Sequence, residues 1–154
     1  MQHNSEIIIS DTSCLILLDK IEHLNLHKAF GKNVLITSTV KSEFGQKLPE
    51  WILLKDPSDT HYQKILELDL DEGEASSIAL SLEIENSIII LDDLKGRKVA
   101  EKLNLKYSGT FGLILRAKQE GIINSVKPIL DKIRKTNFRF SENLFKLFIK
   151  EAGE

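Results

Sequence analysis

The residues best suited to chemistry are acids that follow apolar runs. In "SIIILDD", Ser87 to Asp93, a greasy stretch ends in the adjacent carboxylates Asp92 and Asp93. In "IIISD", the run that starts at Ile7 is followed by Asp11. Carboxylates resist losing water and repel one another, so acids at the ends of buried strands call for a cation or for helix capping. Two more acids belong with them. In "TSTVKSEFGQK", Glu43 lies one turn from Val40, on the margin of the apolar stripe of Val40 and Phe44. In "LDEGEASSIALSLE", Glu74 lies one turn before Ile78, in a first helical turn near the positive end of the dipole. Oxygen-only ligands favour Mg²⁺ or Mn²⁺. An ion held this way activates water and stabilises in-line displacement at phosphorus.

Such a cluster needs elements that bring distant acids to one edge. The runs ending at Ser10, Thr37 and Leu91, with "WILLK" at 51–55, are continuously apolar and rich in β-branched residues. That pattern predicts parallel strands covered on both faces. Between them lie helical patterns at 22–30, 38–47, 59–69 and 72–85, then one around Val99, Ala100 and Leu103, and others at 109–120, 125–135 and 142–150. Alternating strands and helices predict an α/β fold built from βαβ units. Ligands in such folds sit outside the carboxyl ends of the strands. If the strands before Asp11 and Asp92 are parallel neighbours, about 4.8 Å apart, their acids converge.

Composition narrows the class. The chain has 154 residues, which fits a single domain over 1–154. No apolar run approaches the ~20 residues of a membrane span. Met1 to Glu6 is polar and lacks a signal-peptide pattern, and Cys14 is the only cysteine, which leaves no internal disulfide. The expected setting is reducing and cytoplasmic. Residues 1–94 hold 7 Lys+Arg against 17 Asp+Glu, a balance of −10, while residues 95–154 hold 14 against 6, a balance of +8. An acidic site beside a basic binding surface is one reading, and two solvated faces is the other.

Each acid also has a plainer role. Asp11 or Asp93 alone would serve as a helix N-cap, and Asp71 with Glu74 has the spacing of a capping box. Glu43 alone would be an exposed helical acid. The argument lies in several acids at one predicted edge. His3, His23, His27 and His61 show no metal-ligand spacing and are expected at the surface, and Cys14 is expected as a small core residue. A phosphoacceptor receiver fits poorly, because the acid pair follows a late strand and no late-strand Lys is evident.

"IIISDTSCLILL", "TSTVKSEF", "GEASSIALSLE" and "IIILDDLKGRKVAEKL", with "GTFGLILRAKQEG" after them, together resemble PIN-domain ribonucleases, and in particular relatives of VapC-type toxins. The likeness runs over about 6 to 152. It implies a three-layer α/β/α sandwich with a central parallel sheet. It implies a Mg²⁺- or Mn²⁺-dependent endoribonuclease, often the toxin of a toxin–antitoxin pair and commonly a homodimer. By position it implies Asp11, Glu43, Glu74 and Asp93 as the catalytic acids, with Asp11, Glu74, Asp93 and the neighbouring Asp92 at the metal. Thr12 or Ser13 would support the first acid by hydrogen bonding. Two departures stand out: Glu74 where Asp is usual, and Leu91-Asp92-Asp93 where Thr-x-Asp is usual. They motivate the alternative of an inactive PIN-like module that works through protein or RNA binding.

The basic half suits RNA. Lys95, Arg97, Lys98 and Lys102 follow the acid pair, and Arg116 and Lys118 lie in the next helix. These cations would hold phosphates, unless Arg97 is consumed by pairing with an acid. Aromatics are scarce in that stretch, which gives base stacking little support there. "NLFKLFIK", 143–150, either packs on the domain's own core or offers its apolar residues to a second copy or an antitoxin.

Overall fold

The computed structural model describes residues 7–31 and 33–154. His3, and Glu6 at the start of the first apolar run, lie outside the described residues. The elements run β1 (Ile7–Ser10), α1 (Thr12–Lys20), a 3-10 helix (Leu24–Ala29), β2 (Asn33–Ile36), α2 (Ser38–Phe44), β3 (Ile52–Leu54) and α3 (Thr60–Leu66). They continue with α4 (Glu72–Glu83), β4 (Ser87–Ile90), α5 (Leu94–Lys102), β5 (Tyr107–Ser108), α6 (Thr110–Gln119), α7 (Lys127–Arg134) and α8 (Glu142–Glu151). All strand pairs are parallel, in the order β3-β2-β1-β4-β5. Helices cover both faces, giving the α/β/α sandwich.

The strands read as unbroken apolar runs because each face has its own core. Ile8, Ile36, Ile88 and Ile90 pack with Leu15 and Leu18 of α1, Leu113 of α6 and Leu130 of α7. The alternate residues Ile9, Leu35, Ile89 and Leu91 pack with Ala75 and Ile78 of α4 and Ala100 of α5. Small side chains let α4 lie close to the sheet, and Thr37 Oγ1 meets Ser76 Oγ at 2.7 Å across that contact.

Several boundaries differ from the sequence expectation for local reasons. The segment 22–30 forms only a 3-10 helix, Leu24–Ala29, after a turn in which Glu22 takes φ 60°. The helix expected over 38–47 ends at Phe44, where Gly45 at φ 69° supplies the left-handed cap. β5 escaped the pattern because two residues carry no periodicity. Among the described residues no helix is long and apolar enough to cross a membrane. In "NLFKLFIK", Phe148 packs into the core, while Leu144 and Leu147 stay exposed.

His27 is a correction: it is fully buried, not at the surface. Its Nδ1–H donates to the Leu24 carbonyl at 3.0 Å, and its Nε2 lies 2.9 Å from the Ser10 hydroxyl. Burial holds its pKa down to about 4, below the ordinary 6.5, against the Leu24 bond that raises it. The unfolded chain therefore binds the proton more tightly, so this contribution to stability is intact above pH 6.5 and lost as pH falls toward 4. His27→Gln removes the dependence. The stability difference between wild type and variant is expected to shift by about 3 kcal/mol between pH 7.5 and 4, read by urea unfolding. A constant difference across that range would refute it.

Candidate active site

The hydrogen-bonded register decides which acids meet. Ser10 pairs with Ile90, and the Asp11 amide donates to the Ile90 carbonyl at 3.3 Å. Asp11 and Asp92 thus leave adjacent parallel strands at the same edge. On the other side of β4, Leu91 N donates to Ser108 O at 2.8 Å, which brings Gly109 and Thr110 beside Asp92.

Asp11 caps α1, its Oδ1 accepting from Cys14 N at 3.0 Å, and it is only 3% exposed. Burial pushes its carboxyl up to about 8, with Asp92 adding to the effect, the Cys14 N–H opposing it, and Glu74 and Asp71 contributing further. Cys14 itself is buried, as expected of a small core residue.

Asp92 is clamped by Thr110, whose N donates at 2.8 Å and whose Oγ1 donates at 2.5 Å. Arg97 Nη2 lies 3.7 Å from Asp92 Oδ1, and Arg97 Nε donates to the Leu91 carbonyl at 2.8 Å. The competing expectation that Arg97 pairs with an acid therefore describes this arrangement. Gly109 makes it possible: a Cβ there would fall 1.9 Å from Arg97 Nη2 and 2.8 Å from Asp92 Oδ1.

Asp93 caps α5, its Oδ2 accepting from Gly96 N at 3.1 Å. Between the paired aspartates, the helix cap falls to Asp93 and the side facing Asp11 to Asp92. Glu74 completes a capping box with Asp71 at the start of α4. Burial raises its carboxyl to about 7, Asp71 and then Asp93 add repulsion, and the Asp71 backbone N–H partly offsets them. Glu74 Oε2 lies 3.8 Å from where a Gly96 Cβ would stand, so it faces the start of α5.

Glu43, on α2, accepts from Thr12 Oγ1 at 2.5 Å. Thr12 thus supports Glu43, where support of Asp11 was expected. The contact requires Gly73, whose Cβ would sit 2.3 Å from Glu43 Oε1 and 3.2 Å from Thr12 Oγ1. Ser13 is exposed and faces a groove with Ile16, Lys20 and Asn137 instead of the acids. Lys95 and Lys98 are exposed on α5, next to the acid edge. Arg116 is turned elsewhere, over the Phe30 ring at 5.4 Å and paired with Glu120 at 3.2 Å. The residues that the acid pattern missed are Gly73, Gly109 and Thr110. Their signal is a glycine at or just before a helix start, in "GEA" and "GTFG".

The donors suit a hard divalent ion, being carboxylates and hydroxyls only. Burial first, and neighbouring acids second, raise the carboxyls of Asp11 and Glu74, and a bound cation would offset both effects. As placed, the acids are engaged with Thr12, Thr110 and helix N–H groups. Among the described residues no three His, Cys, Asp or Glu side chains converge on one point.

No curated protein matches the sequence. A family model described as PIN domain matches residues 7–154. That span takes in every strand of the sheet and every acid at its carboxyl edge, and the chain belongs to the PIN-domain family.

Proposed function

We propose that this PIN-domain protein is a divalent-metal-dependent endoribonuclease that hydrolyses phosphodiester bonds at the carboxyl edge of its sheet. The observation that carries the reading is the buried Asp11 beside Asp92 across the β1–β4 pair, two acids brought to one sheet edge by the strand register. Membership of a family of nucleases supports the reaction class.

Asp11, Asp92 and Glu74, with Asp93 beside them at the α5 cap, do not converge as placed and would have to turn toward one another to hold Mg²⁺ or Mn²⁺. When bound, the ion supplies Lewis acidity at the phosphate and an acidified water. The chain's own residues do the rest. Thr110 fixes the rotamer of Asp92, and Thr12 fixes Glu43. Glu43, exposed and hydrogen-bonded to Thr12, would orient water. Lys95 and Lys98, on α5, would offer positive charge to the RNA backbone at the acid edge, while Arg97 stays with Asp92 and the Leu91 carbonyl. The likeness to VapC-type toxins supports an antitoxin partner and a homodimer, and a small DNA-binding protein encoded next to this gene would favour that pairing.

Purified protein is expected to cleave single-stranded RNA with Mg²⁺ or Mn²⁺ and to stop in chelator. Calorimetry should show cation binding that Asp92→Asn weakens at least tenfold. Cleavage unaffected by chelator and by Asp92→Asn would mean a contaminant and end this reading.

A further inference from the structure

A cavity of about 620 Å³ opens directly from the acid edge. Asp92, Arg97 and Gly109 line it where it meets the acid edge, and most of its other walls come from α6, the loop before α8 and α8 itself. Phe138 and Phe140, in the loop before α8, fold back against Phe111 of α6, with ring centroids 6.0 and 5.2 Å away in edge-on geometry. The few aromatics of residues 95–118, Tyr107 and Phe111, are thus joined by Phe138 and Phe140. Gly112 leaves the floor without a side chain, because a Cβ there would meet Ser108 Oγ at 2.3 Å. Arg139 and Glu151 add one cation and one acid to the lining. Leu144 and Leu147, 39% and 53% exposed, also line it, which gives their exposure a use.

We propose that this cavity receives one nucleobase of the RNA, the base next to the phosphate held at the acid edge; the proposal rests on the nuclease reading above. The size lies within the roughly 300–1,000 Å³ of small-ligand pockets. Aromatic walls suit the π-face of any base. A cation and an acid together match the acceptor and donor groups on a base edge, whereas a bare phosphate would be repelled by Glu151. Continuity with Asp92 and Arg97 fixes the order: the sugar-phosphate at the acids, the base among the phenylalanines. The motif "GTFG" then has a combined purpose. Gly109 admits Arg97, Thr110 clamps Asp92, Phe111 anchors the aromatic wall and Gly112 clears the floor.

The test uses short single-stranded RNAs carrying 2-aminopurine at successive positions, titrated with protein in chelator so that no cleavage occurs. Stacking should quench one position. Phe138→Leu and Phe140→Leu keep apolar volume but remove the ring, and each is expected to relieve the quenching and weaken binding about tenfold with melting temperature little changed. With metal, an abasic site at the quenched position should raise KM about tenfold and leave kcat within about twofold. Active wild-type protein that quenches no position, or quenches equally in both variants, overturns the base pocket and leaves the groove to a protein segment. Protein that neither binds nor cleaves any RNA overturns the nuclease reading and the pocket with it.

Discussion

Asp11→Asn is expected to abolish metal-dependent RNA cleavage and, at pH 7 in chelator, to make the protein more stable by about 4 kcal/mol. Both effects have one origin. The Asp11 carboxyl is buried, faces Asp92, and has its pKa raised from 3.8 to about 8. The folded state therefore binds the proton more tightly than the unfolded chain. Its contribution opposes folding above pH 3.8, and the penalty grows until about pH 8, where it levels off. Asparagine carries no charge and caps a helix as well as aspartate, so the bond from Cys14 N survives. The stabilisation should nearly vanish at pH 4 and be largest at pH 8, as read from denaturant unfolding at each pH. Added Mg²⁺ should raise the melting temperature of wild type through mass action and leave the variant unmoved. A variant less stable than wild type at pH 8 would mean that the folded chain itself stabilises the Asp11 carboxylate.

Gly109→Ala should cost at least tenfold in kcat with little loss of fold. The backbone there, φ −95° and ψ −179°, is extended and accepts alanine without strain. The difficulty is the added methyl, which would stand 1.9 Å from Arg97 Nη2 and 2.8 Å from Asp92 Oδ1. Arg97 must swing out, and Asp92 must slide off the Thr110 amide that it meets at 2.8 Å. Gly96→Ala is the matched control. Its methyl would find Leu91 at 3.5 Å and Glu74 at 3.8 Å, ordinary contacts, within a helix that gains from alanine. Equal activity in the two variants would show that the Arg97–Asp92–Thr110 arrangement does not govern the reaction.

The contrast between these two glycines shows what the sequence could and could not tell. Strand periodicity was legible because both faces of the sheet are covered, so "IIIS" and "SIIIL" could be little else. With those strands fixed, Asp11 and Asp92 followed to one edge. Helix 72–85 was legible from its spacing, and α4 matches it closely. What escaped was contact made by backbone approach. Nothing local to Thr110 says that it reaches Asp92, since that pairing depends on β5, two residues long, lying against β4. Thr12 pointed to the wrong acid because sequence adjacency to Asp11 is a weaker guide than the space left at Gly73. His27 read as surface because one histidine gives no pattern, while Ser10 and the Leu24 carbonyl, which satisfy it, are invisible from composition. Phe138 and Phe140 carried no signal in the sequence because the Phe111 that gathers them is a helix away.

The place of β1 in the sheet has a consequence for how the protein is made. It lies between β2 and β4, so its second neighbour is synthesised roughly eighty residues after it. A chain still on the ribosome, extended only through α4, already carries Asp11, Glu43 and Glu74 yet lacks Asp92 and the Thr110 that holds it. An N-terminal fragment that ends before Thr110 cannot assemble the acid edge, so the arrangement around Asp92 forms only after most of the chain has been made.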